Sequence, residues 1–364
     1  MVQKVDKLKV YAPGRICLFG EHQDYLGLPV IPCAISLYIE VQGVRRDDLT
    51  VNIDLPDIDD KESFLIENNI HYVKERDYFR SAVNILLRNN FTFSTGFDCI
   101  LRGKIPISAG VASSSALTVA WINFLTLMSD QSIELTPKDS AKFSHMAEVL
   151  EFREPGGMMD QYSSSIGRVI FVDFIPKISI DPIHADLKPF VLGDSGEWKD
   201  TKRILTEVKN RVIEITKSIT QKHPEFSLHE ATVKNIYKYT SELTKEELQL
   251  INGTIRNHEI TIEAKDILKK KPLNHKKIGQ LINEHQSILR DVLNITTPKI
   301  DRMIDAALEA GAFGAKITGA GGGGCIFAYC PNNHSEVLNA IEKAGGKGYI
   351  VNVENGVRFE ILET

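Results

Sequence analysis

Cysteine is scarce: five residues in 364, at positions 17, 33, 99, 325 and 330, with no two in C-x-x-C spacing. An odd, scattered set excludes a disulfide framework and a thiolate zinc site, so free thiols in a reducing cytosol are expected. Charge of one sign is also lacking, since 43 Lys and Arg face 48 Asp and Glu for a net charge of −5. No basic surplus is there to hold a nucleic acid backbone. The longest basic run, Lys269-Lys270-Lys271, reads as a solvated helix end. Met1 to Lys9 is charged and has no apolar run of the signal-peptide kind. Ile105 to Ser129 carries no charge and is long enough to span a bilayer. Its first half, with Pro106, Ser108, Gly110 and Ser113 to Ser115, is too polar for that and reads as a loop feeding a buried helix. These absences leave a cytoplasmic protein with small-molecule partners and neither nucleic acid nor membrane.

What is present is ordinary for a globular chain: 43% hydrophobic and 25% charged residues. The length suggests about two domains with a sizeable core. Residues 8–44 are expected as strands separated by a loop, with Lys9-Val-Tyr-Ala-Pro before Gly14, a β-branched stretch from Val30 to Val44, and the polar segment Gly20-Glu21-His22-Gln23-Asp24-Tyr25 held between them as a binding loop. Apolar spacing predicts a helix within 71–90, a strand over 97–101, and a helix apolar nearly all round over 116–128. Thr136 and Pro137 start a helix over 138–153, and Pro155-Gly156-Gly157 ends it. Strands follow at 169–174 and 190–194. Residues 199–271 are mostly helical, as are 276–293 and 299–310. Strands at 315–318 and 325–329, a helix at 338–343 and a strand at 349–353 complete the chain. Pro176, Pro182 and Pro189 punctuate a boundary, which gives domains at 1–180 and 181–364.

Three segments carry chemistry. Pro106 to Leu117 joins small residues and hydroxyls directly to a helix. Small side chains let backbone N–H groups approach a phosphate, and the helix N-terminus adds free donors and partial positive charge. No Gly-Lys-Ser/Thr occurs there, so it is not a Walker A loop. Lys316 to Cys325 packs five glycines into 319–324, too many for one turn, and points to close backbone packing against a ligand or another loop. With strands on both sides and no following helix, it is not a Rossmann fingerprint. Glu148 and Asp160 flank the Pro155 break as a carboxylate pair of the kind phosphoryl transfer uses, though either alone also suits a solvated surface.

Taken together, Ala12-Pro-Gly-Arg-Ile-Cys-Leu-Phe-Gly-Glu-His-Gln-Asp-Tyr, Pro106 to Leu117 and Lys316 to Cys325 resemble, in order, the three motifs of the GHMP kinases. That family includes galactokinase, homoserine kinase, mevalonate kinase and phosphomevalonate kinase. Asp24 and Met159-Asp160-Gln161 look like the galactokinase branch. Cys17, Leu26-Gly27-Leu28, Ala112, Gly322 and the segment after Asp194-Ser195 depart from it, and Gly322 is closer to the mevalonate kinase form.

The resemblance implies an α+β fold of two domains. The N-terminal one is like the ribosomal-S5-type fold, the C-terminal one has a ferredoxin-like core, and the active site lies in the cleft between them. It implies catalytic roles for Asp160 and Arg15, whose fixed cation suits it to keep Asp160 ionised. Mg²⁺ would be held by Ser114 and Glu148, and ATP phosphates by Gly110, Ser113, Ser114 and Ser115. Glu21, His22 and Asp24, with Asp194, would bind the acceptor's hydroxyls. The implied activity is an ATP-dependent sugar 1-kinase, galactose being the expected acceptor, in a monomer or small homo-oligomer. A mevalonate-kinase-like enzyme, a kinase for another hexose or a uronic acid, and a non-catalytic sugar sensor are the alternatives.

Overall fold

The computed structural model describes residues 5–107, 109–197, 201–241 and 243–363, with the backbone alone for Thr201 and Lys202. Ser108 of the small-residue loop and 198–200 after Asp194-Ser195 lie outside the described residues. In chain order the elements are β1 (Lys7–Phe19), β2 (Ile31–Arg45), β3 (Thr50–Leu55), β4 (Asp60–Leu65), α1 (Tyr78–Arg88), β5 (Phe97–Gly103), α2 (Ser113–Met128), α3 (Pro137–His145), α4 (Met159–Ile166), β6 (Val169–Asp173), β7 (Ser179–Ile183) and β8 (Phe190–Asp194). Then come α5 (Thr201–Lys222), α6 (Lys245–Leu268), α7 (His275–Asp291), α8 (Pro298–Glu309), β9 (Gly314–Ile317), β10 (Cys325–Tyr329), α9 (His334–Lys343), β11 (Lys347–Val351) and β12 (Arg358–Ile361).

Two sheets organise these elements. The first runs β12-β1-β2-β5-β3-β4, with β6 on β2 and β7 on β6; the second runs β11-β8-β10-β9. Strand β1 alternates buried and half-exposed residues from Lys7 to Tyr11, then is buried throughout from Ala12 to Phe19. That change of pattern marks where the strand leaves a half-solvated face and enters the middle of the molecule. The functional segment of β1 therefore starts where its solvent face ends.

Helix α2 is buried along nearly its whole length because it has no polar face to offer water. Trp121 stacks on Phe124 with ring centres 5.3 Å apart, and Phe79 of α1 and Phe97 of β5 meet them edge-on. This aromatic layer fixes the start of α2 over the first sheet. The helix begins at Ser113, earlier than expected, so the serines belong to its first turn. No helix among the described residues is long and apolar enough to cross a membrane. All five cysteines are buried and none is in a disulfide.

Two regions differ from the sequence expectation. The β3–β4 hairpin was unanticipated, although Val51, Ile53 and Leu55 alternate with Thr50, Asn52 and Asp54. The boundary at 180 falls inside β7, which pairs with β6 in the first sheet. Strand β12 returns from the C-terminal half to pair with Leu8–Tyr11 of β1. The C-terminal residues thus complete the N-terminal sheet, and the second unit is an insertion between β7 and β12 rather than a simple half.

Candidate active site

A cavity of about 550 Å³ opens between the two sheets. Its centre is Arg15, set on β1 at a break in the β1–β2 register between Pro13 and Arg15. The Arg15 backbone N–H donates to Val111 O at 3.0 Å and its Nη1 to Gly110 O at 2.5 Å. Its Nε and Nη2 donate to Asp160 Oδ1 and Oδ2 at 2.7 and 2.8 Å, a two-pronged pair. The arginine side chain is 5% exposed and the aspartate 29%, so the carboxylate is the member that faces the cavity. Burial opposes the Arg15 charge, but the carboxylates of Asp160 and Glu21 outweigh it and raise its pKa. Asp160 lies in the first turn of α4, where the helix N-terminus also favours negative charge.

The N-terminus of α2 faces the same space. Ala112 precedes the helix at φ 61° and no side chain caps it, so the first-turn N–H groups are left for another partner. Ser113, Ser114 and Ser115 line the cavity with Gly110. Glu148, buried in a single π-helical turn (Met146–Leu150), reaches the same point. It accepts from Gln161 Nε2 at 2.6 Å, and the Ser114 and Ser115 hydroxyls stand near enough to favour its ionised form. Burial raises its pKa, and these hydrogen bonds offset only part of the effect. Among the described residues no cation is paired with it.

The glycine run closes the cavity from the second sheet. Gly319 and Gly321 to Gly324 all adopt positive φ, which explains why five glycines are needed. A Cβ on Gly319 would stand 2.6 Å from Gly110 Cα, so the two loops touch backbone to backbone. Cys325 N–H donates to Ala109 O at 2.7 Å and seals the contact.

The loop after β1 supplies the remaining polar groups. His22, at φ 61°, has Nε2 3.2 Å from Ala320 O and Nδ1 2.7 Å from Tyr25 Oη. A carbonyl partner places the ring proton on Nε2, so Nδ1 accepts from the tyrosine hydroxyl. Asp24 accepts from Tyr25 N–H at 2.9 Å and Met159 N–H at 3.4 Å. Burial, with the nearby charge of Asp160, pushes its pKa from 3.8 to about 6. Its carboxylate occupies the place a Cβ of Gly157 would take. Glu21 lines the cavity, but Lys316 Nζ and Gly319 N–H, each at 2.5 Å, hold its two oxygens.

The structure thus brings together Arg15, Glu21, His22, Asp24, Gly110, Ser113, Ser114, Ser115, Glu148 and Asp160. Asp194 stands apart: it caps its own turn through Gly196 N–H at 2.9 Å and does not line the cavity. Sequence reasoning missed the apolar part of the lining, which includes Leu55 and Ile58 of the β3–β4 hairpin with Phe79, Leu101 and Leu117. It also missed Gln161 and Lys316 as partners of the two buried glutamates.

The Gly319–Gly110 contact makes a sharp prediction. Gly319→Ala meets both a backbone clash and a left-handed φ, and is expected to lower Tm by about 5–10 °C. Gly196→Ala, with φ 66° and nothing within 4 Å of a new Cβ, bears the strain alone and is expected to cost no more than about 3 °C. Equal losses in a thermal melt would remove the close approach as the reason for glycine at 319.

Three family models match the chain: the galactokinase galactose-binding signature over residues 3–43, the GHMP kinases N-terminal domain over 77–168 and the GHMP kinases C-terminal domain over 264–348. A mevalonate kinase from Pyrococcus furiosus is 30% identical over 97% of this chain and 98% of its own length. A galactokinase from Actinobacillus succinogenes is 28% identical over 93% of this chain and 89% of its own. Among solved structures, Lactococcus lactis galactokinase complexed with galactose superposes with a TM-score of 0.84 at 21% identity, covering 98% of this chain and 95% of that one. A mevalonate kinase from Methanococcus jannaschii superposes with a TM-score of 0.74 at 22% identity, covering 95% and 98%. The chain belongs to the GHMP kinase family and is an ATP-dependent phosphotransferase acting on a hydroxyl group.

Proposed function

We propose that this kinase is a sugar 1-kinase that converts galactose and ATP to galactose 1-phosphate and ADP. The observation that carries this reading is the Asp24 carboxylate beside the Arg15–Asp160 pair, in a loop matched by the galactose-binding signature. Several fixed polar groups in one short loop suit a polyol, because each hydroxyl of the right isomer satisfies a buried group that a wrong isomer leaves unpaired. Asp24 and His22 are groups available for this role, and Asp194 is not among the residues that line the cavity.

The apolar lining of Leu55, Ile58 and Phe79 suits the adenine ring of ATP, and the α2 N-terminus and the glycine loop suit its phosphates. Ser114 and Glu148 fit a magnesium ion: a buried carboxylate with no cationic partner among the described residues stands beside a hydroxyl at a phosphate-binding helix end. Such an ion, when bound with ATP, neutralises charge on the phosphates. Asp160 orients the acceptor hydroxyl and receives its proton as oxygen attacks the γ-phosphorus. Arg15 holds that carboxylate in place and offsets the charge on the transferring group.

A second reading follows from the Pyrococcus furiosus relative, which makes mevalonate the rival acceptor. ADP release with Mg-ATP and a panel of galactose, its 2-amino and 6-carboxy analogues, glucose, arabinose, fucose and mevalonate separates the two. Galactose turnover well above the rest is expected, and Asp160→Ala is expected to remove it by about 100-fold or more while ATP binding survives. Preference for mevalonate, or near wild-type turnover by Asp160→Ala, overturns the reading.

Asp24 adds a pH signature. With its pKa raised to about 6, it is protonated below that pH and stops accepting a hydroxyl's hydrogen bond. The acceptor's kcat/KM therefore rises as pH climbs through about 6, since this ratio reports the free enzyme. In Asp24→Asn that limb is expected to vanish and kcat/KM to fall roughly 10- to 100-fold. An unchanged limb would assign the titration elsewhere. The sign for stability is opposite: the native state binds the Asp24 proton more tightly than the unfolded chain, so ligand-free stability falls between pH about 4 and 6.

A further inference from the structure

Glu148 reaches the α2 N-terminus from a turn that has left α-helical register. In an α-turn the Glu151 N–H would bond to Ala147 O, four residues back. Here it donates to Met146 O at 3.0 Å, five residues back. One extra residue is thus looped into the turn at Met146–Leu150. A wider turn separates neighbouring side chains by a smaller angle, and Glu148 and Val149 both line the cavity.

The shift takes from Ala147 O the N–H that an α-turn would supply. Ser81 of α1 fills that place. Its Oγ donates to Ala147 O at 2.8 Å, and its side chain is fully buried. The hydroxyl has one proton, and its other neighbour, Tyr78 O of the same helix, is farther away at 3.3 Å. Helix α1 is fixed in turn by Trp121 of α2, whose Nε1 donates to Phe79 O at 3.2 Å. Ser114 stands at the start of that same α2. The two groups suited to magnesium, Ser114 and Glu148, are therefore referred to each other through α1.

We propose that Ser81 is a positioning residue for the metal. It supplies the hydrogen bond that the widened turn needs, and so holds Glu148 at the α2 N-terminus. Ser81 does not itself line the cavity; it acts on the backbone one residue before Glu148, whereas Gln161 acts on the carboxylate. Without the hydroxyl, the buried Ala147 carbonyl finds a partner only by drawing the Glu151 N–H back into α register, which turns Glu148 away from Ser114. The metal part of the proposal rests on the reading that Glu148 and Ser114 take magnesium; the part about the turn does not.

Three variants test this: Ser81→Ala, Val83→Ala and Glu148→Gln. Val83 is in the same helix and equally buried. It lies about 200° further round α1, so its truncation loosens the core away from the turn. Mn²⁺ binding to the complex with ADP is followed by electron paramagnetic resonance, which involves no turnover. Ser81→Ala is expected to weaken Mn²⁺ about tenfold, and Glu148→Gln at least as much. Val83→Ala is expected to stay within about threefold of wild type. Hydrogen–deuterium exchange across 146–151 reads the turn without any metal. Ser81→Ala is expected to speed it about tenfold beyond Val83→Ala compared at matched global stability. Exchange no faster than in Val83→Ala overturns the proposal. So does Mn²⁺ affinity kept by Ser81→Ala while Glu148→Gln loses it. Wild-type Mn²⁺ affinity in Glu148→Gln overturns the magnesium reading instead, and the exchange data then still decide whether Ser81 holds the turn.

Discussion

One guanidinium fixes the geometry of the whole cleft. The Arg15 side chain holds the loop before α2 through Gly110 O and the first turn of α4 through Asp160, and its backbone N–H adds a bond to Val111 O. These groups come from three parts of the chain that share no local structure. A planar, permanently charged fork is suited to the task because its donors are pre-aligned and cannot be lost to deprotonation. Removing it would leave Asp160 without its counter-charge and Gly110 O without its side-chain donor, so the Asp160 carboxylate and the loop before α2 would lose their common anchor, while the backbone bond to Val111 O would remain.

Around that fork, the cleft is assembled from pieces that avoid side chains where they meet. Gly319 touches Gly110, and Gly157 makes room for Asp24. The helix end at Ser113 is uncapped, and Glu148 sits beside it without a cationic partner among the described residues. Each of these is a local cost: unpaired donors, a buried charge, left-handed backbone. They are concentrated where nucleotide phosphates and an acceptor would supply the missing partners. The Trp121–Phe124 layer anchors α2 on one side of the cleft. On the other side the four-stranded sheet carries the glycine loop between β9 and β10.

The motifs were legible in the sequence because their chemistry restricts residue type at fixed spacing. Arg15, the serines and the glycine run can be read without a structure, and all three meet at one cavity. Contacts between distant positions were not legible. Nothing in Glu21 or Lys316 alone says that they pair across 295 positions of sequence. Asp194 was a candidate only because the resemblance implied it; a short side chain at a strand end also caps its own turn, and that is what it does here. The β3–β4 hairpin was overlooked despite its alternation because polar residues fill half its positions, although it supplies part of the cavity's apolar lining. The final strand escaped the domain division because a strand's partner depends on topology, and β12 finds its partner at the start of the chain.

The position of the transferred phosphate is the most direct test of this account. Product formed from galactose and Mg-ATP can be examined by ³¹P and ¹³C NMR without separation. The account predicts a single phosphate coupled to the anomeric proton and to C1. Phosphate on C6 or another ring carbon, or conversion of mevalonate with galactose left untouched, would contradict it.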